Sequence, residues 1–552
     1  MKKYTLGIDY GSLSGRVVLV DITNGNIEAS HVVDYPNGVM RSQIPTSPDP
    51  LPQDWALQHP GDYLQVLKKA IPAVLGEREV SPEQIIGIGV DFTASTVMPI
   101  DEEGIPLCLK KEYTKRPHAW VKLWQHHAAQ KEADLINEIA DKTGEGFIKR
   151  YGGKISSEWM LPKALQILKE DPEIYHKMHR FIEAGDWIVQ HLTGKEARNS
   201  CAAGYKALWS KKEGYPEKEF LKSLHQDLGE YYKTKVDKRV HSVGTTAGVL
   251  TEAAAKEYGL EQGTPVGVAN IDAHVAVPAI GAVKDGDMMM IMGTSTCHML
   301  VSNEEHMVPG ISGVVEDGIL PGMVGYEAGQ SCVGGHFEWL LENCIPPSYY
   351  KEAEKASKSI HSYLENKAQQ LPPGSGGILA LDWWNGNRSI LNNSELSGVF
   401  LGLKLTTKPE QLYRALIEAT AFGTKIIIDQ FTSSKVFINQ LYATGGIATK
   451  NKLMMQIYAD IINRPIHVSD CEQACALGSA MYGAVAAGEE AGGYKDIYTA
   501  AKEMSAKPAV TYYPDQKRHK KYQKAFSLYK EYHDLLGVKY VNLLTSLKKL
   551  EE

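Results

Sequence analysis

The sequence predicts an α/β protein built as two similar halves. Three observations carry that expectation: a length of 552 residues, a glycine-tipped strand hairpin that occurs twice, and strand-like runs that alternate with helical stretches. At roughly 100–200 residues per domain the length calls for more than one domain, and two large ones suit it. Alternation of the two periodicities places strands and helices in layers within each half.

The first hairpin opens the chain. Tyr4-Thr5-Leu6-Gly7-Ile8-Asp9 is a short apolar run, Tyr10-Gly11-Ser12-Leu13-Ser14-Gly15 is a turn, and Arg16-Val17-Val18-Leu19-Val20-Asp21 resumes the strand pattern. The pattern returns with Met288-Met289-Met290-Ile291-Met292, the turn Gly293-Thr294-Ser295-Thr296, and Cys297-His298-Met299-Leu300-Val301. Further strand-like runs follow each hairpin at 85–90 and 441–444, with helical stretches at 61–75 and 411–430. Pro278, Gly281 and Gly286 cluster before the second hairpin, so the expected domains are 1–277 and 278–552. The stretch 514–552 is rich in Lys, Tyr and Leu with helical period; it reads as a solvated surface helix or as an oligomer contact, so a homodimer is one expectation.

Composition excludes several classes of function. With 43% hydrophobic and 23% charged residues the chain is an ordinary globular protein, and its net charge of -7 argues against nucleic acid, whose phosphates require a basic face. The apolar run at the start is too short for a secretory signal, and no run of eighteen apolar residues suggests a membrane span. Seven scattered cysteines suit a reducing compartment, and a cytoplasmic location is expected.

The glycine turns are the candidate binding elements. Gly11, Ser12 and Ser14, and again Gly293, Thr294 and Ser295, combine approachable backbone N–H groups with hydroxyls, an inventory suited to phosphate; a plain tight turn has the same composition. Neither a Walker-type phosphate loop nor a dinucleotide fingerprint follows a strand. Gly445-Gly446 lies between a strand and a helical stretch, where a nucleotide can lie against bare backbone. Small residues from Ala474 to Ala480 have the spacing of a close helix contact, and Cys471 and Cys475 stand four apart on the same expected helix, without a second ligand pair for zinc. Asp272 ends an apolar strand before a helical run, either a carboxylate at a ligand-binding rim or a helix cap. Asp9 sits inside an apolar strand, where a cation or its bound water would offset the burial of its charge.

The order and spacing of these segments resemble the FGGY family of carbohydrate kinases, as does Gly398-Val399-Phe400-Leu401-Gly402-Leu403 running on through Gln411 to Glu418. Another signature is weaker, since Pro162-Lys163-Ala164-Leu165 lacks the usual pattern. Segments 156–163, 201–209 and 326–331 are similar to the members that act on L-ribulose. The resemblance implies two ribonuclease H-like domains of the actin and sugar-kinase type, sugar on the first, ATP on the second, and reaction in the cleft between them. It implies ATP-dependent phosphorylation of L-ribulose at the C5 hydroxyl, in L-arabinose catabolism; another ketopentose or polyol, or an actin-like nucleotide switch, are the alternatives. Asp272 would be the catalytic base, Ala94, Lys206 and Glu327 would join it in binding sugar, and Asp9 would hold Mg²⁺ through water. Gly11, Ser12, Ser14 and Gly293 to Ser295 would hold phosphates, and Gly445 and Gly446 the adenosine.

Overall fold

The computed structural model describes residues 2–237, 239–548 and 550. The chain divides into two compact units, the first made of Met1–Val283, Val314–Gly325 and Gln473–Ala506, the second of Lys284–Gly313, Tyr326–Glu472 and Lys507–Glu552.

In the first unit the opening hairpin forms as expected, with Tyr4–Tyr10 antiparallel to Ser14–Asp21, which in turn pairs with Ile27–Asp34. Ile85–Phe92 adds to the other side of the first strand in parallel, followed by Pro265–Gly267 and Thr246–Val249. The helix Pro60–Glu77 covers this sheet with Tyr63, Val66, Leu67, Ala70, Ile71 and Val74, all buried in one core with Leu6, Ile8, Val17 and Ile88. On the opposite face lies the helix Ala474–Ala487, and here the contact is backbone against backbone. A Cβ built on Gly7, Gly87 or Gly89 would lie 1.9, 2.1 or 1.8 Å from the carbonyl oxygens of Ala476, Gly483 and Ser479. The small residues of this helix therefore do pack closely, against a sheet. A second core in the same unit gathers Trp55, Trp120, Trp159 and Leu161 beside the short strands Leu57–Gln58, Val121–Lys122, Val97–Ile100 and Arg180–Glu183.

The second unit repeats the arrangement. Met288–Met292 pairs antiparallel with Thr296–Ser302 and parallel with Leu441–Thr444, and Ile466–Val468 and Val510–Tyr512 extend the sheet. The long helix Pro409–Ser433 carries a buried Arg414–Glu418 ion pair at 2.8 Å. The C-terminal helix Gln516–Asp534 docks on that pair: Arg414 donates to the Tyr522 hydroxyl at 2.7 Å, Tyr522 donates to Glu418 at 3.0 Å, and Tyr529 donates to Asp382 at 2.9 Å. One face of this helix is therefore core, whereas Leu528 and Tyr532 on another face are exposed. The expectation of a solvated surface helix therefore holds for one face only: tyrosines in a Lys-rich segment bury their rings on the other because their hydroxyls find carboxylate partners. Among the described residues no helix is long and apolar enough to cross a membrane.

Candidate active site

Strand register brings the first acidic group together. In the parallel pairing of the opening strand with Ile85–Phe92, Asp9 stands opposite Asp91, and Asn270 of the short strand Asn270–Ile271 stands opposite Asp91 from the other side. One residue beyond that strand, Asp272 begins the helix Asp272–Ala279. Three carboxyl groups thus gather at the ends of neighbouring strands. The expectation of a helix cap at Asp272 is corrected: the cap position falls on Ile271 and no side chain caps the helix, while Asp272 is the first helical residue, its Oδ1 accepts from its neighbour Ala273 N at 2.6 Å, and the residue stays partly exposed.

Electrostatics distinguish the three. Burial pushes the Asp9 carboxyl above its ordinary range, and Arg16, whose Nε lies 3.3 Å from Asp9 Oδ2, opposes that rise. Asp91 is wholly buried and pushed well up, by burial first and then by Asp9, with Asp272 adding a smaller push. Its Oδ2 accepts from Ser479 Oγ at 2.5 Å, while Oδ1 has no donor. Burial likewise raises the Cys475 thiol, with Asp9, Asp91 and Asp272 adding to it. Burial and mutual repulsion thus disfavour full ionisation of Asp9, Asp91 and Cys475 together.

Two sugar-binding candidates, Ala94 and Lys206, belong to this unit. The turn after Ile85–Phe92 contains Ala94; its entry is held by Thr93 N donating to Tyr10 O at 3.1 Å and by the Thr93–Thr96 hydroxyl pair at 2.8 Å. Lys206 ends the helix Ser200–Lys206 and is 6% exposed, with Nζ 5.8 Å from the centroids of the Trp159 and Tyr205 rings. It is a buried lysine rather than a solvated one. That helix is fixed at its start by Asn199, whose Oδ1 accepts from Ala202 N and whose Nδ2 donates to Asp186, each at 2.7 Å. The Tyr205 ring packs at 4.4 Å on His274, on the helix that Asp272 begins. Nearby, burial pushes Glu183 up to about 8 against the pull of Arg198, Lys163 and Lys206.

The Gly11–Ser14 turn is tied down rather than open throughout. Gly11 N donates to Ser14 O at 2.9 Å, Trp124 Nε1 donates to Ser12 Oγ at 3.0 Å, and Gln58 Nε2 donates to Ser12 O at 2.7 Å. Ser12 is therefore an anchored residue whose hydroxyl already accepts one hydrogen bond.

In the second unit, Glu327 lies buried in the strand Val324–Gln330, and its carbonyl accepts from Ser312 N at 2.8 Å. Gly293 and Thr294 turn their carbonyls toward the start of the helix Gly334–Cys344, the first accepting from Gly334 N at 3.0 Å and the second from Val333 N at 2.7 Å. A Cβ on Gly334 would meet Gly293 O at 2.8 Å, so a glycine keeps helix and loop in backbone contact. Gly445 has φ of 95°, and a Cβ there would lie 2.6 Å from Met292 O, while Gly446 faces open space. The turn thus sets bare backbone against the end of the second hairpin's first strand.

Sequence reasoning passed over Asp91, Lys163 and the Gly334-Gly335 pair. An acid inside an apolar run, the feature that singled out Asp9, also marks Asp91. The Cys471/Cys475 expectation is corrected: the helix begins at Ala474, so the two cysteines do not share it.

Family models of the FGGY carbohydrate kinases match the chain twice, the N-terminal domain over residues 4–279 and the C-terminal domain over residues 288–487. A ribulokinase of Anoxybacillus flavithermus is 52% identical over 551 residues, covering 100% of this chain and 98% of its own. A ribulokinase of Mycolicibacterium smegmatis is 43% identical, covering 97% and 94%. Among solved structures, a xylulose kinase from Rhodospirillum rubrum superposes with a TM-score of 0.77 at 20% identity, covering 97% of this chain and 99% of that one. Plasmodium falciparum glycerol kinase with ADP gives 0.76 at 18% identity, covering 96% and 98%. The fold is that of the two-domain actin and sugar-kinase type, and the chain belongs to the FGGY family of carbohydrate kinases, enzymes that take their phosphoryl group from ATP.

Proposed function

We propose that this carbohydrate kinase transfers the terminal phosphoryl group of ATP to the C5 hydroxyl of L-ribulose, giving L-ribulose 5-phosphate and ADP. The observation that carries the reading is the full-length identity of 52% to a ribulokinase. A cytoplasmic location goes with it.

Phosphoryl transfer asks little covalent chemistry of a protein; it asks for an in-line alcohol, an acceptor for its proton, and donors around the transferred group. Asp272 accepts the proton of the C5 hydroxyl on its carboxylate. Lys206, Glu327 and the backbone at Ala94 hold the other sugar oxygens. Gly293, Thr294 and Ser295 receive phosphates, as do Gly11, Ser12 and Ser14, and Gly445-Gly446 receives the adenosine. Asp9 would hold Mg²⁺ through water: burial disfavours the charged form of its carboxyl, and the neighbouring Asp91 oxygen has no donor, so a cation would stabilise both groups. When bound, Mg²⁺ supplies charge neutralisation for the phosphates.

The test is ADP release measured over a panel of L-ribulose, D-ribulose, xylulose and glycerol. The highest kcat/KM is expected with L-ribulose, with slow ADP release when no sugar is present. Sugar-independent turnover, or a preference for a polyol, would overturn the reading.

A further inference from the structure

We propose that Lys163 is a positioning residue of the sugar site, its Nζ tying the carbonyl of Ser95 to that of Leu123 and so setting the turn that presents Ala94. The inference rests on the sugar-binding reading given above.

Lys163 lies on the helix Met160–Glu170 and has no solvent exposure. Its Nζ donates to Ser95 O at 2.7 Å and to Leu123 O at 2.9 Å. Each carbonyl belongs to a segment that matters for the site. Ser95 follows Ala94 directly and has φ of 53°, a left-handed conformation that is unfavourable for a residue with a Cβ. Such a turn needs an external hold. Some comes from Ala184 N donating to Thr96 O at 2.7 Å, but the Ser95 carbonyl itself is held by Lys163.

Leu123 connects the same clamp to the first glycine turn. The next residue, Trp124, donates to Ser12 Oγ, and the Ser12 carbonyl is fixed by Gln58, whose Oε1 accepts from the Tyr63 hydroxyl at 2.7 Å. One buried amine thereby joins the turn at Ala94 to the strand end that braces the turn at Ser12. A buried lysine is costly unless its donors are satisfied. Burial pushes this one down to about 7, opposed by Glu183 and Glu158. A neutral amine has two N–H groups and the clamp has two carbonyls, so the tie holds in either protonation state.

The experiment uses the full chain with Lys163→Met, which keeps the length of the stem, and Lys163→Gln, which keeps one donor group. L-ribulose and ATP affinities are measured by calorimetry, with KM, kcat and the thermal transition alongside. Lys163→Met is expected to raise the KM and Kd for L-ribulose at least tenfold and Lys163→Gln at least threefold, with the change in the ATP Kd smaller than the change for the sugar in each variant. A role confined to stability would lower the transition temperature and leave the sugar KM unmoved. That result, or loss of the fold in both variants, would overturn the assignment. Absence of L-ribulose binding in the wild type would instead overturn the proposed function, and this assignment with it.

Discussion

Asp272→Asn should lower kcat by about 10²–10⁴-fold, the usual contribution of a positioned general base, equivalent to about 3–5.5 kcal/mol of barrier. The exchange keeps shape and leaves an oxygen to accept from Ala273 N, so the start of the helix Asp272–Ala279 should survive. What it removes is the ability to take a proton. Asp272 is suited to that task because it is partly exposed, whereas Asp91 is sealed and pushed far above its ordinary range. Calorimetry should find L-ribulose and ATP affinities within a few-fold of wild type, which separates lost chemistry from lost binding. Near wild-type turnover in a purified, folded Asp272→Asn protein would remove the base assignment.

Gly89→Ala should be among the most damaging single-methyl additions in the chain, with a loss of more than about 3 kcal/mol of stability. A Cβ there would lie 1.8 Å from the Ser479 carbonyl oxygen and 2.6 Å from its carbonyl carbon, in the backbone of a helix that cannot rotate away as a side chain can. Gly87 and Gly7 face Gly483 and Ala476 in the same way, so displacing the helix at one point strains the others. The damage reaches the site as well, because Ser479 holds Asp91, which stands opposite Asp9 in the sheet. Gly76→Ala is the control: it lies within the helix Pro60–Glu77 with nothing within 4 Å of its added methyl, and should be neutral or stabilising by about 0.5–1 kcal/mol. Denaturant titration of both variants checks the pair; a loss below about 1 kcal/mol for Gly89→Ala would contradict the packing account.

How much of this was legible in the sequence follows from what each residue's signal depends on. The two hairpins were readable because a strand with a Gly/Ser tip is a local pattern, and both form at the expected residues. The close approach of the helix Ala474–Ala487 was also readable, since small residues at packing intervals have few other uses. Its partner was not: the glycines at 7, 87 and 89 meet it from more than 380 positions away, through pairing that no local window contains. Asp91 escaped notice for a similar reason. Its position beside Asp9 is a matter of strand register, and only the register makes two ordinary strand residues into a carboxyl pair. Lys163 looked like part of an imperfect signature, because its value lies in two carbonyls 68 and 40 residues distant. The C-terminal helix was legible as a helix and not as core, because its buried tyrosines depend on Glu418 and Asp382 to satisfy their hydroxyls.

The most direct measurement is ³¹P–¹H correlation spectroscopy of the product formed from L-ribulose and ATP. Coupling of the new phosphate to the C5 protons of the sugar, with stoichiometric ADP, is the expected result. A phosphate on another carbon, or inorganic phosphate in place of a sugar phosphate, would contradict a site that aims one terminal alcohol at the nucleotide.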